Sequence, residues 1–224
     1  MFSQLTYIIN LFVENPAMGA VYVLCLLCAM CIAISFHEWA HAYVAYKLGD
    51  PTAKNLGRMT IDPTKHIDPL GALMFVLFGF GWAKPVIVNP NNLKNYRRDD
   101  ALISLAGVTM NLLISFVTYG ILFLVNIKAW WLNFLLSLIC NMNMSFAIFN
   151  ILPVPPLDGF HVATSLFHGK NYKVVNFLQQ YGYVILLALM FIPIINGTSI
   201  LSFVLTKVGN FLFRLFGMFF GLFV

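Results

Sequence analysis

The chain has 224 residues, 60% of them hydrophobic and only 9% charged, where a soluble domain carries about a quarter charged residues. That balance excludes an ordinary soluble enzyme and points to a multi-pass protein whose solvent is the lipid bilayer. The net charge of +5 does not call for nucleic acid, because Lys and Arg cluster in the loops between apolar runs, where positive-inside bias puts them.

Residues 1–15 lack the positive start and small-residue cleavage site of a removable signal. Residues 2–13 are apolar but too few to span, so an interfacial or partly inserted helix is expected before Glu14-Asn15-Pro16. Residues 18–46 form the first clear span, longer than the roughly 20 residues a crossing helix needs. The loop that follows is rich in Gly, Pro and Asp and carries Lys47, Lys54, Arg58 and Lys65.

Leu70–Trp82 is apolar but short, which suits a re-entrant or interfacial hairpin, and Lys84, Lys94, Arg97 and Arg98 come after it. Both basic loops then lie on one side, the cytoplasmic one. The alternation in Pro85-Val86-Ile87-Val88 suits a short strand. Ala101–Ile127 is the second span, running outward to Lys128 and the interfacial pair Trp130-Trp131. Leu132–Leu152 returns inward and ends in NILPVPPLDG; His168, Lys170 and Lys173 return to water. Tyr181–Phe203 is expected to cross outward, interrupted by Pro193 and Asn196-Gly197, with residues 208–224 on the surface or in a partial pass. The fold class expected is an all-α polytopic bundle with a re-entrant or short β-like element and a Pro-broken helix. One integral-membrane domain is expected over residues 1–224, with its core at about 18–205 and no accessory soluble domain.

Within the first span lies His37-Glu38-Trp39-Ala40-His41. Histidines four apart share one helix face and can bind one metal ion, with the glutamate placed as a base. Ionisable groups at membrane depth are costly, which favours a functional site over a packing cluster. Counting back from Lys47 at 1.5 Å per residue puts His41 about 9 Å and His37 about 15 Å inside the interface.

A catalytic zinc site takes three protein ligands and an open position, so a third ligand is required. The only glutamates are Glu14 and Glu38, which leaves an aspartate or a histidine. Asp158 is the strongest choice: Pro153, Pro155 and Pro156 stop the helix before it, and irregular backbone at that depth must face protein or a water-filled cavity. His161 and His66 are weaker alternatives, and His168 beside Gly169-Lys170 reads as solvated. Cys25, Cys28, Cys31 and Cys140 all lie in apolar segments, where packing thiols rather than a disulfide are expected.

Taken together, HEWAH at 37–41 and NILPVPPLDG at 150–159 resemble the paired signature of the site-2 proteases, the intramembrane zinc metalloproteases of peptidase family M50. The stretches LGDPTAKNLGRMTIDPTKHIDPLG, GWAKPVIVNP and AGVTMNLLIS extend the likeness over residues 18–170, toward the small prokaryotic branch. Val108 stands where that branch often has proline. The resemblance implies one Zn2+ per chain on His37, His41 and Asp158, Glu38 as general base, and Asn150 and Asn111 as substrate-binding or supporting residues. It further implies cleavage of transmembrane or membrane-proximal segments of membrane proteins in the cell membrane, at a site open to the cytoplasm. The competing reading is a non-proteolytic metal-binding membrane protein, either a transporter or an inactive relative that binds membrane helices.

Overall fold

Asn15 caps the first long helix by accepting a hydrogen bond from the Met18 N–H, and Pro16 takes the first helical position, where no N–H is needed. A short amphipathic helix, α1 (Ser3–Glu14), precedes it and packs back on it. The long helix, α2 (Pro16–Lys47), runs 32 residues, about 48 Å at 1.5 Å per residue. That exceeds the roughly 30 Å hydrocarbon layer, so the helix reaches beyond it. The computed structural model describes residues 3–166, 172–195 and 198–223.

After α2 the chain makes the single-turn α3 (Thr52–Asn55) and then α4 (Pro69–Phe78), whose start Asp68 caps by accepting from the Gly71 N–H. Ala83 bridges back to Ile67 in antiparallel sense, so the segment carrying α4 goes out and returns to its own beginning. The expected hairpin is therefore present. The stretch after it, however, is extended without forming a strand. Two of its N–H groups go to carboxylates: Val86 to Glu38 Oε2 at 2.8 Å and Asn89 to Asp50 Oδ2 at 2.7 Å.

The next two helices, α5 (Tyr96–Leu124) and α6 (Trp130–Asn150), pack on α2 and on each other to form the core. The buried side of this trio is rich in small and short polar residues: Ala29, Ala33, Ser35, Gly107, Ser115 and Ala147. Small residues let helices approach closely where hydrophobic burial offers no drive. Beyond α6, Pro153, Pro155 and Pro156 cannot continue a helix, and residues 151–157 form turns before α7 (Asp158–Leu166) packs on α5.

The last part differs from the sequence expectation. No single crossing runs from Tyr181 to Phe203; instead α8 (Tyr172–Phe191) ends before Pro193, and α9 (Ile200–Phe220) is a second helix of spanning length. Pro193 lacks the N–H a helix needs, and β1 (Pro193–Ile195) pairs with β2 (Thr198–Ser199) across the connection. Asn196-Gly197, His168 and Lys170 lie outside the described residues. Among the described residues five helices are long and apolar enough to cross a membrane: α2, α5, α6, α8 and α9. The molecule is an all-α polytopic membrane bundle.

Candidate metal centre

Two chain segments deliver the site. His37 and His41 lie one turn apart on α2, and Asp158 opens α7 directly after the proline turns. His37 Nε2 is 3.2 Å and His41 Nε2 3.3 Å from Asp158 Oδ2, and the two Nε2 atoms are 2.9 Å apart. Both imidazoles are buried, at 5% and 8% exposure, deep in a largely apolar bundle.

The far edge of each ring decides what the near edge offers. The Nδ1–H of His41 donates to the Ile103 carbonyl at 2.7 Å, and the Nδ1–H of His37 donates to Asn111 Oδ1 at 2.6 Å. With Nδ1 protonated, each neutral ring turns a bare Nε2 lone pair to the centre. Two lone pairs and a carboxylate oxygen facing one another at these distances repel unless a cation lies between them. Asp158 Oδ2 is buried with no hydrogen-bond partner, which is the orphaned acceptor such a cation would satisfy. A tetrahedral zinc with bonds of about 2.0–2.1 Å has ligand–ligand edges of about 3.3 Å, so the triangle is close to the right size. Among the described residues this is the group whose metal-ligating atoms converge.

Two glycines make room for it. A Cβ on Gly107 of α5 would lie 2.5 Å from His41 Nε2 and 2.6 Å from His37 Cε1, so only glycine lets α5 pass behind the rings. A Cβ on Gly159 would strike the Ile151 carbonyl oxygen, so the residue after Asp158 must also lack one for α7 to start under the end of α6.

Glu38 is buried at 8% exposure, and its Oε2 accepts the Val86 N–H, which ties the helix to the extended 84–89 stretch. Asn111 is wholly buried and uses both ends of its amide within the protein: Oδ1 toward His37, and Nδ2 donating to the Ala33 carbonyl at 3.0 Å and Asn143 Oδ1 at 2.8 Å. Asn150 is half-buried at the end of α6, where its Nδ2 donates to the Phe146 carbonyl at 3.1 Å. The two alternative ligands are engaged elsewhere. His161 Nδ1 pairs with Asp100 Oδ2 at 2.9 Å, and His66 is buried in the loop, its Nε2–H donating to the Thr60 carbonyl at 2.7 Å. The four cysteines are free. Motif reading gave no place in the site to Gly107, Asn143 or the Val86 N–H; the quoted stretches AGVTMNLLIS and GWAKPVIVNP contain Gly107 and Val86, and Asn143 lies in no quoted stretch.

Apolar helices of spanning length around a buried pair of histidines and an aspartate define a polytopic membrane protein with a candidate metal centre. Comparison with known proteins agrees. The sequence profile of peptidase family M50 matches residues 125–190, a stretch that contains NILPVPPLDG but not HEWAH. YwhC of Bacillus subtilis strain 168 is 36% identical over 179 residues, covering 75% of this chain and 81% of its own. Rip2 of Mycobacterium tuberculosis H37Rv is 26% identical over 195 residues, covering 83% of this chain and 73% of its own. Both relatives are named, provisionally, as zinc metalloproteases. No solved structure matches the chain. The chain belongs to peptidase family M50, the site-2 protease family, and is a zinc metalloprotease of the membrane.

Proposed function

We propose that the chain is an intramembrane endopeptidase that cuts transmembrane or membrane-proximal segments of other proteins, holding one zinc on His37, His41 and Asp158, with Glu38 as general base. The observation that carries this reading is the convergence of two bare Nε2 atoms and the orphaned Asp158 Oδ2 inside helices long enough to span. Zinc bound there supplies a Lewis acid that makes water more acidic and polarises a carbonyl.

The protein's own groups do the rest. Glu38 takes a proton from the attacking water as its oxygen bonds to the scissile carbon, then delivers that proton to the amide nitrogen as the C–N bond breaks. The Val86 N–H pins one oxygen of Glu38 and leaves the other to carry the proton. A peptide bond inside a helix is shielded by its own hydrogen bonds, so the substrate must unwind. The extended 84–89 stretch lies against Glu38 and offers backbone for such a strand to pair with. Asn150, at the end of α6 just before the proline turns, is the side chain we assign to the substrate backbone. The basic residues Lys47, Lys54, Arg58 and Lys65 at one loop, and Lys84, Lys94, Arg97 and Arg98 at the other, support a site that opens to the cytoplasm.

The test is Glu38→Gln in detergent-purified protein with a transmembrane reporter substrate. Zinc content should stay at the wild-type level while cleavage disappears. Undiminished cleavage would overturn the base assignment.

A further inference from the structure

Behind His37, on the side away from Asp158, a line of hydrogen bonds crosses from α2 through α5 to α6. It ends on Asn143, a wholly buried amide that belongs to neither signature motif. Its direction is set at the far end. Asn143 Nδ2 donates to the Ile139 carbonyl at 2.8 Å, and a carbonyl can only accept, so Asn143 must turn its Oδ1 toward Asn111. Asn111 Nδ2 donates one proton to that oxygen at 2.8 Å and the other to the Ala33 carbonyl at 3.0 Å. Both acceptors lack protons, so Asn111 is left with its Oδ1 facing His37 at 2.6 Å. His37 must then carry its proton on Nδ1 and leave Nε2 bare toward the centre.

From this we infer that Asn143 is a positioning residue of the metal centre: it orients the Asn111 amide and through it selects the His37 tautomer that can ligate. The inference rests on His37 being a ligand. Without the Asn143 oxygen, Asn111 keeps only the Ala33 carbonyl as an outside anchor, and its amide can turn. A turned amide presents N–H to His37 Nδ1, which makes Nδ1 the acceptor and puts the imidazole proton on Nε2, where it points at Asp158 and competes with the ion. Inter-helix asparagine bonds also serve packing in membrane bundles; a purely packing role would leave the tautomer unchanged.

The experiment uses the full chain in detergent as wild type, Asn143→Leu, Asn143→Asp and His37→Ala. Zinc affinity is measured by chelator competition, and the metal-free proteins are labelled with 15N at their five histidines. Partners behind a ligating histidine are commonly worth 10–100-fold in metal affinity, and one bond further out Asn143→Leu should cost about tenfold. The same variant should convert the His37 15N signals from the Nδ1–H form to a mixture of tautomers. Asn143→Asp, whose carboxylic acid keeps an acceptor for Asn111 and a donor for Ile139, should stay near wild type in both readings. Unchanged affinity and tautomer in Asn143→Leu would overturn the inference. So would an equal loss in both Asn143 variants with the tautomer intact, which is the mark of packing alone. Should Asn143→Leu fail to fold, the metal-free wild type still decides, because an Nε2–H form at His37 contradicts the chain of bonds. If His37→Ala binds zinc as tightly as wild type, the ligand reading beneath the inference is what has failed.

Discussion

A methyl group is the smallest probe of the proposed metal centre, and Gly107 is the place to put it. In Gly107→Ala the new carbon would fall within 2.6 Å of both imidazoles, so the rings or α5 must shift. Overpacking of this kind costs about 1–3 kcal/mol, while alanine favours the helix by about 1 kcal/mol over glycine. The fold should therefore survive with modest loss of stability, and zinc affinity should fall by more than tenfold. Metal titration beside circular dichroism of the same sample separates the two effects. At this scale the sequence was uneven. As candidates, His37, Glu38 and His41 follow from spacing along one helix, and Asp158 from the proline turns before it. Gly107, Asn143 and the Val86 N–H act across helices or loops, through contacts between residues far apart in the chain. Such contacts leave no local period or spacing to read. Asn111 illustrates the difference: expected as a substrate-binding or supporting residue, it lies wholly buried with its amide committed to His37, Ala33 and Asn143.

Among the elements, the loop stretch around 84–92 is held at one end by Glu38 and at the other by the single buried carboxylate of Asp50. Asp50 is fully buried and accepts hydrogen bonds from the Thr52 N–H and hydroxyl, from the Asn89 N–H at 2.7 Å and from Asn92 Nδ2 at 2.7 Å. Burial alone would raise its carboxyl, but the bonds from Thr52, Asn92 and Asn89 outweigh that and hold it below the usual range. Its stabilising effect is therefore complete above the ordinary Asp value near 3.9 and is lost as pH falls through the depressed folded value. Asp50→Ala leaves buried donors unpaired, a loss of about 1–3 kcal/mol. The expected readings are a lower thermal midpoint and faster proteolysis between residues 84 and 98; unaltered proteolysis would mean that other contacts fix the stretch. In wild type the same proteolysis should accelerate only below the ordinary Asp range. The helices themselves were legible from apolar run length. The exception is the C-terminal part, where one crossing was expected and α8 and α9 are found, because a Pro193 inside an apolar run marks an interruption but not whether the chain continues or turns back.

For the whole molecule, the orientation proposed from the basic loops and the Trp130-Trp131 pair can be checked without any substrate. A reporter active only outside the cytoplasm should be active when fused after Lys128 and silent when fused after Arg58. The reverse pattern would invert the topology and move the opening of the site to the other face. Above all, the account depends on three residues holding one ion. Metal content by mass spectrometry, on detergent-purified wild type beside Asp158→Ala with both verified as folded, tests that most directly. The expected result is about one zinc per wild-type chain, lost or sharply weakened in the variant. A wild type that takes up no zinc when it is supplied, or an Asp158→Ala protein that holds zinc as firmly as wild type, would contradict it.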